Sequence, residues 1–271
     1  MMIISVTNQK GGVGKTTTSI NLGACLADRG KRVLVIDMDP QANASLGLGI
    51  DVSSLEETMY DVVMSRVPIL SVIQRTSMEH LFVAPGHLNL GTCDVTLGRG
   101  LGRTFILRNA LTSIQDEYDY ILIDSPPALN MLTLNSLVAA THLIIPMQAR
   151  YYALVGISKL NVIVANIKRK LEHNLELLGV LVTMYDRRSN LQRAVFEEIQ
   201  DHFNGKVFNT AIRTNVKLSE AEMCGEPIVR YYSKCHGAED YMSLAEEIID
   251  AEAKRITQTS EREHQEGPFD L

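Results

Sequence analysis

The sequence predicts one α/β domain, a mostly parallel twisted sheet with helices on both faces. Two observations predict it. Short β-branched apolar runs alternate with helical patterns along the chain, the order that joins parallel strands through crossover helices. The runs are continuous rather than alternating, as in strands buried on both faces. With 271 residues, 45% of them apolar, the chain is long enough for one sizeable core.

The elements follow in order. MIISVT (2–7) is the first buried strand. A glycine loop comes next, and TTSINLGACLADRG (17–30) then carries apolar residues at helical spacing and stops at Gly30. KRVLVIDMD (31–39) is a second strand that ends in aspartates. Residues 41–80 are less regular and read as short helices. LFVAP (81–85), DYILIDSPP (119–127), HLIIPM (142–147) and LLGVLVTMYD (177–186) are further strands. Helical patterns occupy 102–115, 132–140, 153–171 and 189–203. SLAEEIIDAEAKRI (243–256) is a last helix, acidic early and basic at Lys254-Arg255, which suits the helix dipole. TQTSEREHQEGPFDL (257–271) is polar and reads as a disordered tail. The expected organisation is a domain over 1–256 and a tail over 257–271.

Composition narrows the function. A net charge of −6 argues against a chain that is basic all over, yet leaves room for a local basic patch. The four cysteines, Cys25, Cys93, Cys224 and Cys235, have no C-x-x-C spacing, so a zinc or redox motif is not expected. Nothing at the N-terminus reads as a signal peptide, and no apolar run approaches the ~20 residues of a membrane span. The expectation is a cytoplasmic protein without a membrane partner.

The chemistry starts at NQKGGVGKTT (8–17). Gly11, Gly12 and Gly14, with Val13 between them, let backbone N–H groups converge on an anion at a helix N-terminus. Lys15 suits the β- and γ-phosphates, and the Thr16 hydroxyl, with Thr17 beside it, suits Mg²⁺. A buried strand before and a helix after make this a P-loop NTPase domain. Asp124 ends the strand YILID, where a Walker B aspartate holds Mg²⁺, often through water. Asp37 and Asp39 end the second strand. Asp39 lies at or beyond the strand's edge, where it would orient an attacking water; Asp37 either holds metal-bound water or caps a turn.

One feature departs from the ordinary loop. The position five before Gly14 is Gln9 rather than glycine, and a second lysine, Lys10, follows it. KGGVGKTT, IDMDPQAN and ILIDSPP together resemble the deviant Walker A ATPases of the ParA/MinD superfamily, most closely the ParA/Soj partitioning branch. YYALVGISKL (151–160), GVLVTMYDRRSNL (179–191), NVKLSEA (215–221) and GAEDY (237–241) extend the resemblance from about residue 2 to 253. It implies ATP and Mg²⁺ as cofactors and slow ATP hydrolysis, with Lys10, Lys15 and Asp39 in catalysis. It places Lys10 across an ATP-dependent homodimer, on the other subunit's nucleotide. Two phosphate-bearing faces repel, and a lysine from each side answers that charge. Thr16, Asp39 and Asp124 are the implied magnesium site, the aspartates through water. Met184, Arg213 and Asn215 fall where the family contacts adenine and ribose.

The resemblance also implies non-specific DNA binding by the dimer, nucleoid association, and a ParB-like or cargo-adaptor protein that stimulates hydrolysis. Arg187, Arg188, Arg193, Arg213, Lys217, Arg230 and Lys234 are the basic residues of the C-terminal half that could meet phosphates. Here the sequence departs from the family. IRTNVKLSEAEMCGEPI (212–228) has Arg213 at a usual proline, Thr214 at the usual DNA-binding arginine, Glu222 at a proline and Glu226 at a lysine. A regulator that binds a protein partner without DNA is therefore the alternative. A membrane switch of the MinD kind would need a basic amphipathic last helix, and this one is acid-rich.

Overall fold

A computed structural model describes residues 1–97, 102–150 and 173–265, together with positions 162, 164, 165 and 169. The helical pattern at 153–171 and the motif at 151–160 fall, but for those four positions, outside the described residues.

Seven strands form one sheet in the order β3-β4-β2-β5-β1-β6-β7. They are β1 (Met2–Val6), β2 (Val33–Asp37), β3 (Gln74–Arg75), β4 (Leu81–Ala84), β5 (Tyr120–Asp124), β6 (His142–Gln148) and β7 (Glu176–Thr183). All pairs are parallel except β3 with β4. The two-residue β3 is the strand that the sequence did not announce. It is too short for a periodic signal and sits at the edge, where pairing on one side suffices.

Alternation along each strand divides the core. Ile3, Leu34, Ile36, Ile121 and Ile123 pack on one face with the helices Ile106–Leu111, Met131–Ala139 and Asn190–His202. Met2, Ile4, Val33, Val35, Tyr120 and Leu122 pack on the other with the helices Lys15–Asp28 and His236–Gln265. Successive side chains on a strand point to opposite faces, so a continuous apolar run supplies both layers. The first helix ends as its glycine predicts. Gly30 takes φ 76°, and the N–H groups of Gly30 and Lys31 donate to the carbonyls of Ala27 and Leu26.

Short helices at Asn43–Gly47, Met59–Val63 and Ile69–Val72 fill the irregular stretch after β2, as expected. The final helix differs from its expectation. It begins at His236 and continues to Gln265, so the segment 257–265 is helical. The Gln, Glu and Arg there are good helix formers, and the next breaker is Gly267-Pro268. No helix among the described residues is long and apolar enough to cross a membrane.

The topology fixes where a ligand belongs. From β1 the chain crosses one face to reach β2, and from β5 it crosses the other to reach β6 on the far side of β1. The carboxyl end of β1 is a topological switch point, the place where loops part and leave a crevice.

Candidate functional site

The loop between β1 and the helix Lys15–Asp28 sits in that crevice. Gly12 (φ 67°) and Gly14 (φ 86°) are both left-handed, a conformation that glycine adopts at little cost. Gly14 is also the helix N-cap, and no side chain caps the helix. Among the described residues, no backbone N–H from Gly11 through Thr17 finds an acceptor; the first to do so is Thr18, on Gly14. A row of unanswered N–H groups at a helix N-terminus is an anion site. The cavity beside it holds about 490 Å³ and is lined by Gly11, Gly12, Gly14, Lys15, Thr16, Thr17, Asp39 and the 126–128 turn, among others.

Lys15 is buried, with Nζ 3.2 Å from the carbonyl oxygen of Lys10. Burial lowers its pKa, and the nearby charges of Asp124 and Asp39 oppose that shift. Asp124 is completely buried at the end of β5. It accepts hydrogen bonds from Thr16 Oγ1 at 2.8 Å and Ser19 Oγ at 3.1 Å. Burial raises its pKa, helped by the charge of Asp37, and those two donors do not cancel the effect. A carboxylate held against its preference in this way gains from a cation.

No group of three or more His, Cys, Asp or Glu able to hold a metal occurs among the described residues. The site is therefore no protein cage. One hydroxyl and one carboxylate side by side suit Mg²⁺, which keeps waters and takes substrate phosphate oxygens for the rest of its shell.

The structure separates Asp37 from Asp39. Asp37 is fully buried and accepts from Ser45 N at 2.8 Å, Ser45 Oγ at 2.7 Å and Asp39 N at 3.1 Å. It is the cap of the turn that carries Asp39, the second of its two sequence readings. Asp39 lines the cavity, and its Oδ1 accepts from Gln41 N at 3.0 Å. Gly86 packs against this turn so closely that a side chain there would meet Asp37 and the Asp39 carbonyl at 3.0 Å.

A second cavity of about 260 Å³ adjoins the loop. It is lined by Gly14, Thr17, Thr183, Met184, Arg213, Asn215 and others, so the three expected base and ribose residues do come together. Asn215 caps the helix Val216–Met223 through Lys217 N. Arg213 is otherwise engaged. Its Nη2 lies 2.6 Å from Asp240 Oδ1 and 3.1 Å from Glu239 Oε2.

The remaining basic residues are spread over the surface. Arg187, Arg188, Arg193, Arg230 and Lys234 are exposed. Arg188 is paired with Asp186 at 3.1 Å, but its side chain is 90% exposed. Lys217 is paired with Glu220 at 2.6 Å. Lys10 is exposed, makes no ion pair among the described residues, and is absent from the lining of the cavity beside its own loop.

Comparison with known proteins shows the family. The family model described as an AAA domain matches residues 1–177. The sporulation initiation inhibitor protein Soj of Bacillus subtilis is 46% identical over 246 residues, 91% of this chain and 97% of its own length. The chromosome partitioning protein ParA of Caulobacter vibrioides is 42% identical over 257 residues, 94% and 96% of the two chains. The chain belongs to the ParA/Soj family of deviant Walker A proteins. Among solved structures, the cobyrinic acid a,c-diamide synthase of Mycobacterium smegmatis with bound ATP analogue and magnesium superposes with a TM-score of 0.80 at 31% identity. It covers 91% of this chain and 93% of its own. ParA/Soj membership accounts for the P-loop NTPase fold.

Several site residues were not singled out from the sequence. Gln148 and Thr183 end β6 and β7 and donate to the loop carbonyls of Gly12 and Val13 at 2.7 and 2.8 Å. Asn8 ties the loop's start to Pro146 O at 2.7 Å. Gln148 and Thr183 are each the polar last residue of a mostly apolar strand, which is the signal that could have found them.

Proposed function

We propose that this chain is a Mg²⁺-dependent partition ATPase: two subunits close on ATP, the dimer binds DNA without sequence preference, and partner-stimulated hydrolysis releases it. Chromosome-partitioning relatives and a fold neighbour solved with an ATP analogue and magnesium support the reading. The observation that carries it is the position of Lys10. Its cation is exposed and unpaired, at the mouth of a loop whose own phosphate lysine, Lys15, is already buried in place. That leaves Lys10 to answer the phosphates of a second subunit.

The residues divide the work. The N–H groups of Gly11 through Thr17 and the Lys15 ammonium hold the phosphates and stabilise charge on the departing group. Thr16 and Asp124 would hold Mg²⁺, which would offset the phosphate charge. Asp39, on the cavity wall, orients the attacking water. Met184 and Asn215 border the base and ribose, and Arg213 shapes that cavity through its pair with Asp240. Arg187, Arg188, Arg193, Lys217 and Arg230 supply phosphate contacts on DNA, doubled by the second subunit.

The deciding experiment is binding to an arbitrary DNA duplex with ATP, ADP or no nucleotide across a salt series. ATP-dependent binding that weakens steeply with salt is expected. A protein that dimerises with ATP yet ignores DNA at low salt would retain the switch and lose the DNA target. The altered 212–228 face would then belong to a protein partner.

A further inference from the structure

The phosphate loop is held from behind by two side chains. Gln148 Nε2 donates to the Gly12 carbonyl at 2.7 Å, and Thr183 Oγ1 donates to the Val13 carbonyl at 2.8 Å. In a trans peptide the carbonyl of one residue and the N–H of the next point in opposite directions. Tying back the carbonyls of Gly12 and Val13 therefore turns the N–H groups of Val13 and Gly14 away from β6 and β7. Those two N–H groups are among the unanswered donors of the loop. The sheet thus aims the anion site through two side chains at adjacent strand ends.

The two ties are not equivalent. Thr183 lines the smaller cavity, but its hydroxyl bonds the loop alone. Gln148 makes a second contact, from the same amide nitrogen to the sulfur of Met184 at 2.8 Å. Met184 is a left-handed residue, φ 51°, which a methionine adopts only when its surroundings hold it there. It lines the smaller cavity with Thr17, Arg213 and Asn215, whereas Gly12 lines the larger one. The Gln148 side chain is nearly buried, so its amide has no ready exchange with water. One nitrogen with two hydrogens is fully used by one atom from each cavity.

We propose that Gln148 is a positioning residue that couples the base cavity to the phosphate loop. It does not touch the reacting atoms. It fixes Gly12 and Met184 relative to each other, so that a ligand filling the base cavity also sets the aim of the phosphate donors. A nucleotide then gains more than the sum of a base and a diphosphate, and the ligand class it favours is a nucleoside polyphosphate over an inorganic one. The inference rests on nucleotide binding at this site and is independent of DNA.

The test is calorimetric binding of Mg·ADP and of Mg·pyrophosphate to the full chain. Gln148→Met keeps the volume and removes both donors. It is expected to weaken ADP about tenfold, the scale of a lost buried hydrogen bond, and pyrophosphate distinctly less. Thr183→Val, which removes only the loop tie, weakens both ligands by the same factor. Met184→Leu removes the sulfur at an exposed position and lowers the preference for ADP over pyrophosphate without Gln148 being touched. That variant keeps the proposal testable if Gln148→Met does not fold. Equal losses for the two ligands in Gln148→Met, or an unchanged preference in Met184→Leu, overturns the coupling. A wild-type protein that binds neither ligand overturns the nucleotide reading and the inference with it.

Discussion

The guanidinium of Arg213 lies across the carboxylate of Asp240, with Nη2 2.6 Å from Oδ1 and Nε 3.0 Å from both carboxylate oxygens. The Arg213 backbone N–H donates to the same carboxylate at 2.8 Å. Asp240 is buried, and these bonds from Arg213 serve both of its oxygens. Arg213 is thus a strut between the smaller cavity and the last helix.

The first prediction separates this strut from the basic surface. Arg213→Ala leaves a buried carboxylate without its partner, a change that costs about 3 kcal/mol where the pair is well shielded and less here, because Arg213 is partly exposed. A lower Tm with an unchanged salt slope of DNA binding is expected. Arg188→Ala should do the opposite. It leaves Tm alone and reduces the slope by about one per subunit, roughly two for a dimer. A reduced slope in Arg213→Ala at unchanged Tm would return Arg213 to the DNA-facing set.

A second prediction concerns the two loop lysines. Lys15→Ala removes the buried cation that faces Asp124 and Asp39, and nucleotide binding should be lost. Lys10→Ala leaves the loop's N–H groups and Lys15 in place. It should bind ATP with an affinity near that of the wild type and remain a monomer by light scattering. A normal ATP dimer of Lys10→Ala would end the cross-subunit role.

The third prediction rests on the division between Asp37 and Asp39. Asp39→Ala should still bind Mg·ATP and dimerise, with turnover down at least about 10²-fold, the usual scale for a lost general base. Asp37→Ala removes the acceptor of three hydrogen bonds and should instead lower Tm, because Ser45 and the turn beneath Asp39 lose their anchor. Normal steady-state hydrolysis by Asp39→Ala would move the catalytic role elsewhere.

The sequence carried the architecture because its signals were redundant there. Continuous apolar runs, the glycine loop and strand-end aspartates all pointed to one sheet and one crevice, and β1, β2 and β5 deliver Lys15, Asp39 and Asp124 to it. What it did not carry were contacts between strand ends far apart in the chain. Gln148 and Thr183 look unremarkable in HLIIPMQ and LLGVLVT until the register of β6 on β7 sets them side by side under the loop. The ion pair of Arg213 was hidden for a related reason. Its charge was visible in sequence, but the Asp240 that answers it comes from the last helix, 27 residues on. The extent of the last helix was hidden by its polarity, which fits a solvated helix as well as a loop.

The last prediction follows from Glu222, on the helix Val216–Met223. Its Oε1 is buried without a hydrogen-bond partner. Burial raises its pKa above the ordinary 4.5, and the nearby Thr17 hydroxyl opposes that shift without cancelling it. A carboxyl raised in the folded state binds its proton more tightly there than in the unfolded chain. Below the unfolded value both states are protonated, and the fold has its full stability from this group. As pH rises through the folded value that contribution is lost, because the buried site must then hold a charge. Glu222→Gln stays neutral throughout. Its Tm should exceed that of the wild type by a few degrees at pH 8, and the difference should close toward pH 4. A difference that is the same at both ends of the series would trace it to packing rather than to charge. No difference at pH 8 would mean that the carboxylate is solvated in solution.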